Sequence, residues 1–221
     1  HDITVVTRDA LSAQRRAAPQ EETMRGIQVY RFRNMSNQLA WTRQLFLPTG
    51  TGRFLRRRLE EFDLVHLHMY RTLQDVLVHH HATRCEIPYV FSARGSLLRI
   101  VRQVHAKALF DHVFGYDLLS DAKQLVALSR AEKAHYESMG VPSRRISIVS
   151  NGIDYDAFQK LPEKGSFARE HGAEGKPIVT YLGRLNARKG LEALVRAFSI
   201  VRSRRKDAVL VLAGPDEGCQ S

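Results

Sequence analysis

The sequence predicts an α/β protein in which parallel strands alternate with helices. Three observations carry that prediction. Short apolar, β-branched runs alternate with amphipathic runs along nearly the whole chain. The joints between them are short, as packed strand–helix layers require. The alternation pauses over 151–176, where Gly, Pro and charge are enriched, and then restarts. That pause predicts a first domain over 1–150, a linker over 151–176 and a partial second domain over 177–221.

Ile3–Thr7 and Ile27–Phe32 read as strands, the second alternating apolar and basic residues like a strand near a sheet edge. A long basic, partly amphipathic stretch follows from Leu39 to Leu59, broken by Pro48, Gly50 and Gly52. Asp63–His68 then predicts a strand, Leu73–Arg84 a helix, Tyr89–Ala93 a strand, Leu97–Val113 a helix and Gln124–Leu128 a strand. Ser129 opens the next helix, and Glu132 three residues later makes a capping box worth about 1 kcal/mol. Gly140 ends it as a C′ residue, and Val141-Pro142 prevents continuation. Ile146–Val149 is one more short strand. Beyond the linker, Ile178–Leu182 is a strand suited to burial on both faces. A helix follows with apolar residues at Leu191, Leu194, Val195, Phe198 and Val201, and then the strand Val209–Gly214. The chain begins almost inside a strand, without an initiator Met or a signal-peptide pattern, and its last strand has no helix after it. Both ends therefore read as cut, which predicts an exposed apolar sheet face.

Of 221 residues 43% are hydrophobic, enough for a core, and no apolar run approaches the roughly 20 residues of a membrane span. The formal net charge of +11 favours an anionic partner: nucleotide phosphates, an acidic lipid surface or nucleic acid. Most of the excess precedes residue 150, in Arg15-Arg16, Arg31, Arg33, Arg56–Arg58 and Arg144-Arg145. Cys85 and Cys219 lie far apart without a partner spacing, which predicts a reducing, cytoplasmic setting and no structural disulfide.

The segment from Pro177 to Leu191 has the ingredients of an anion site. A strand exits through Gly183, passes Arg184 and Lys189, and enters a helix whose first N–H groups and positive dipole end attract phosphate. Arg184 offers a fork and Lys189 a point charge. A solvated basic loop is the plainer reading. His66 and His68 share one face of their strand, but His79–His81 splay around a helix and nothing completes a tetrahedral zinc set. His68, at the carboxyl end of its strand, is the better functional candidate, or else a satisfied half-buried histidine. Trp41–Arg58 combines Trp41, Leu45, Phe46, Phe54 and Leu55 with five arginines. It suits either an anionic membrane surface or a helix packed inward with a solvated basic face. Nucleic acid is not expected: the cations are scattered over several elements, with no zinc-finger, aromatic RNA-binding or basic-zipper signature. Neither a Gly-x-Ser-x-Gly elbow nor a P-loop is present, since Lys189-Gly190 runs in the wrong order.

Three phrases then occur in order: Ile148-Val-Ser-Asn-Gly-Ile-Asp154, Tyr181-Leu-Gly-Arg-Leu-Asn-Ala-Arg-Lys-Gly190 and Leu210-Val-Leu-Ala-Gly-Pro-Asp216. Upstream stand Asp63-Leu-Val-His-Leu-His68, Ser92-Ala-Arg-Gly-Ser-Leu97 and Ala127-Leu-Ser-Arg-Ala-Glu132. The ordered set resembles the GT-B glycosyltransferases of the family 4 type, the "glycosyl transferases group 1" proteins. The resemblance implies two Rossmann-like domains facing a cleft, the first lacking its opening strand here and the second represented by its opening βαβ. It implies a retaining hexosyl transfer from a nucleotide-sugar to a glycan or lipid-linked acceptor in surface polysaccharide synthesis. Gly183, Arg184 and Lys189 would meet the donor diphosphate, with these cations in place of a metal and no cofactor. Many relatives carry a histidine where this chain has Arg94. A Ser-x-Arg-Gly version resembles a subgroup that builds capsular or lipid-linked polysaccharide, so Arg94 either grips the acceptor's phosphate or sugar or pairs with a local carboxylate. Peripheral contact with the inner membrane face would suit a lipid-linked acceptor. The family's first glycine-rich loop and its pair of glutamates with seven residues between them are missing, which implies an inactive or impaired fragment. The competing reading is a non-catalytic remnant that binds a ligand or partner.

Overall fold

The computed structural model describes residues 2–43, 45–98, 104–186 and 189–216. The chain forms two compact units, His1–Gly152 and Ile153–Ser221. In the first, β1 (Thr4–Arg8), β3 (Ile27–Phe32) and β2 (Glu21–Met24) make a three-stranded sheet in that order. β1 runs parallel and β2 antiparallel to β3. β3 is thus central, against the edge position expected from its alternating pattern. The reason lies in β2, a polar strand that the sequence reading missed. Its Glu22 pairs with Arg31, and Glu21 and Thr23 bond Gln28, so the basic and polar residues of β3 face partners instead of water.

A four-stranded, wholly parallel sheet follows: β4 (Val65–His68), β5 (Tyr89–Ser92), β6 (Gln124–Ala127) and β7 (Ile146–Ile148), neighbours in chain order. Phe91, Leu125 and Ala127 are fully buried, as strands covered on both faces should be. The basic stretch divides into α1 (Asn37–Arg43) and α2 (Thr51–Arg58). α2 packs inward: Leu55 joins the core, and Phe54 meets the rings of Tyr30 and Phe32 at 5.0 and 5.4 Å. α1 keeps Leu39 and Trp41 exposed.

α3 (Leu73–Arg84) has the predicted bounds and starts at a reciprocal cap. Asp75 N–H donates to Thr72 Oγ1, and Thr72 N–H donates to Asp75 Oδ2. The helix expected over Leu97–Val113 is different. Residues 99–103 lie outside the described set, α4 (Val104–Phe110) opens into a π-helical turn at Asp111–Gly115, and α5 (Tyr116–Asp121) follows. α6 (Arg130–Ser138) is capped by Ser129, whose Oγ accepts from Glu132 N–H, and Gly140 follows it at φ 87°. The second half of the expected capping box is absent: Glu132 does not return to Ser129.

In the second unit, α7 (Ser166–Glu170) lies within the stretch read as a linker. β8 (Ile178–Leu182), α8 (Leu191–Arg204) and β9 (Val209–Ala213) form a parallel βαβ. Leu191, Phe198 and Ala208 are buried, but Val179 is 42% and Leu182 83% exposed, against the burial on both faces expected of β8, because a sheet of two strands with one helix leaves a face of β8 uncovered. Cys219 lies outside the described residues.

Candidate functional site

In the first unit, the carboxyl ends of β4 and β5 gather the polar residues. The strands pair with His68 opposite Ser92. His66 and His68, two apart, put their rings on one face with centroids 4.1 Å apart. His66 Nε2 lies 2.8 Å from Ser92 Oγ. Beyond β5 the chain turns through two left-handed residues, Arg94 (φ 49°) and Gly95 (φ 79°). For an arginine that conformation costs on the order of 1 kcal/mol, so other contacts must hold it. Arg94 Nε donates to His68 Nδ1 at 2.9 Å, and Nη1 donates to Asn151 Oδ1 at 2.8 Å. The structure therefore brings together two residues named from sequence, and Arg94 is held by two neutral acceptors instead of the carboxylate considered above.

That geometry dictates the state of His68. An Nδ1 that accepts carries no proton, so the neutral ring bears its proton on Nε2 and presents a donor. Partial burial, then His66, then the Arg94 cation push its pKa down to about 4. His66 is lowered as well, by burial and by Arg94.

Several residues whose part here the sequence reading missed hold the turn. Glu132 is buried, and its Oε1 accepts from Gly95 N–H at 2.5 Å while Oε2 accepts from Leu128 N–H at 2.6 Å. Tyr136 Oη, one helical turn on, accepts from Ala93 N–H at 2.7 Å. From the other side Arg71 donates to the carbonyls of Ser96 and Leu97 at 2.6 and 2.7 Å. Arg71 is itself clamped by the fully buried Asp111 through two 2.8 Å bonds. A buried pair in fork geometry gives direction more than net stability. Only the proximity of Ser129 to Glu132 was legible in the sequence; no local pattern marks Arg71 with Asp111, forty residues apart.

In the second unit, the exits of β8 and β9 stay side by side. Gly183 N–H donates to Ala213 O, and Leu185 N–H to Pro215 O, both at 2.9 Å. The backbones approach so closely that a Cβ on Gly214 would lie 1.9 Å from Gly183 O. A Cβ on Gly183 would meet Tyr181 Oη at 2.9 Å, and that hydroxyl donates to Arg184 O at 2.9 Å. Tyr181 and Gly214 thus fix the loop, and neither role was read from sequence. Arg184 and Lys189 are both exposed. Lys189 N–H donates to Asn186 O, and Gly190 (φ 69°) caps α8. Residues 187 and 188 between them lie outside the described set. Among the described residues no group of three His, Cys, Asp or Glu could hold a metal ion, and no helix is long and apolar enough to cross a membrane.

An uncharacterized glycosyltransferase of Methanocaldococcus jannaschii is 27% identical over 207 residues, covering 89% of this chain and 51% of that protein. The GDP-mannose-dependent alpha-(1-6)-phosphatidylinositol monomannoside mannosyltransferase of Mycolicibacterium smegmatis is 29% identical over 133 residues, 55% of this chain and 34% of that protein. The chain therefore spans about half the length of the first relative and about a third of the second. Among solved structures, Anabaena HepE in complex with UDP and glucose superposes with a TM-score of 0.62 at 17% identity, covering 86% of this chain and 48% of that one. That likeness shows a GT-B-like α/β fold. The description "Glycosyl transferases group 1" matches residues 163–220. "Glycosyl transferase 4-like domain" matches residues 1–152, and the chain belongs to that glycosyltransferase family.

Proposed function

We propose that the protein takes part in retaining transfer of a hexose from a nucleotide-sugar to a glycan or lipid-linked acceptor in surface polysaccharide synthesis. The donor diphosphate lies at the β8–α8 loop. The observation that carries this is the close approach of Gly183 and Gly214, which leaves Arg184 just past the carboxyl end of β8, while Lys189 directly precedes the Gly190 cap of α8. Ligands of parallel α/β sheets bind at such ends. Arg184 supplies paired donors and Lys189 a cation as negative charge grows on the departing nucleotide. No step calls on a metal. In the first unit, Arg94 and the Nε2–H of His68 receive a phosphate of the acceptor. Met35, Leu39, Trp41 and Leu45 are exposed beside Arg43, and we assign this patch to peripheral contact with an anionic membrane of the cytoplasmic face.

The test is a titration with UDP and with GDP followed by backbone amide shifts. Shifts confined to Gly183–Leu191 and Gly214 support the reading. Shifts that spare those residues contradict it.

A further inference from the structure

We propose that Glu132 is the positioning residue of the Arg94 site, aiming the guanidinium at His68 and Asn151 by gripping the turn that carries it. The inference rests on the reading above, in which Arg94 meets the acceptor. An ordinary N3 acid would turn back to its own helix cap. This one instead reaches the Gly95 N–H, 37 residues away, and gives its other oxygen to Leu128 N–H. Those donors leave β5 and β6, adjacent strands in register at Ser92 and Val126. One buried carboxylate thereby ties two strand exits together at the point where the backbone is left-handed.

The division of labour follows from the other bonds. Tyr136 holds Ala93 at the start of the turn, and Arg71 holds the Ser96 and Leu97 carbonyls at its end. Gly95, between them, has its N–H on Glu132. Ser96 N–H also closes the turn on Ala93 O, but the bond from Gly95 N–H is the one made at the left-handed pair itself, and without it the turn is expected to relax toward ordinary backbone regions. The side chain then no longer reaches both His68 and Asn151. Glu132 touches no ligand in this scheme.

Glu132→Gln is the test, because the amide keeps the volume and one acceptor but sets an NH2 against the second backbone N–H. In the whole chain the variant is expected to melt cooperatively. It should nevertheless lose the fixed Nε2–H tautomer of His68, read from imidazole 15N shifts. Its affinity for inorganic phosphate, read at the Gly95 and Ser96 amides, should fall at least about fivefold while UDP binding at the β8–α8 loop is unchanged. Ser129→Ala, which removes the helix cap but leaves the carboxylate, should leave the His68 tautomer intact. Retention of both the tautomer and the phosphate affinity in Glu132→Gln overturns the proposal. Arg94→Ala separates the two readings: unchanged phosphate binding there sinks the acceptor role of Arg94, while the His68 tautomer in Glu132→Gln still decides the positioning role. If Glu132→Gln does not fold, amide exchange in the unmodified chain decides. Protection of the Gly95 N–H comparable with the β5 ladder supports the proposal, and exchange at the rate of an open loop overturns it.

Discussion

At the residue scale the backbone crossing gives the sharpest expectation. Gly214→Ala drives a Cβ into the Gly183 carbonyl, and its φ of 151° suits glycine. The substitution should cost at least about 2 kcal/mol in urea unfolding of the second unit. His68 offers a second test. Its pKa in the fold lies below that of a free imidazole, so its contribution to stability is present above the ordinary value of 6.5 and is lost as pH falls toward about 4. Histidine NMR should show it neutral at pH 6, and Arg94→Ala should raise its titration midpoint. The place of His68 at a strand's carboxyl end could be read from a strand boundary alone, whereas Arg94 was named only through the family resemblance, and its bond to His68 needed the fold. Glu132 was legible as a helix cap and misread as one, because its carboxylate bonds a loop that no local pattern places nearby.

At the element scale, α3 and the π-helical turn carry the strain and burial that sequence periodicity does not show. Asp75 is 1% exposed, and burial pushes its pKa up to about 7 even though its Oδ2 accepts from Thr72 N–H. A carboxyl raised in the fold favours the folded state when protonated. Its contribution is full below about 3.8 and is lost as pH rises through about 7. Asp75→Asn should therefore flatten the fall in Tm between pH 5 and pH 8. At the π turn, a Cβ on Gly115 would lie 2.1 Å from Tyr70 Oη and 3.1 Å from Asp111 Oδ1. Gly115→Ala should destabilise by about 2 kcal/mol or more in chemical unfolding, and adding Tyr70→Phe should recover part of that loss. The bounds of α3 and β8 followed from their flanking turns and apolar runs. The π turn did not, since nothing in the local pattern shows that Gly115 will pack against Tyr70 and Asp111. β2 escaped because Glu21, Glu22 and Thr23 look like a loop until Arg31 and Gln28 stand opposite.

At the scale of the whole chain, the formal charge of +11 and the exposed Trp41 patch bear on partners. Vesicles rich in anionic lipid should carry the protein upward in flotation at low salt, and Trp41→Ala or about 0.5 M salt should reduce this. The alternation of strands and helices was enough to foresee an α/β fold with parallel sheets. The ligand assignment could not come from alternation, because it depends on where two loop cations sit after a strand ends. Calorimetric titration of UDP and GDP into the unmodified chain and into Arg184→Ala tests that point most directly. The account predicts that the nucleotide bound by the unmodified chain is held at least about tenfold more weakly by the variant, the loss of one charge-assisted contact. Equal affinity in the two proteins would contradict it.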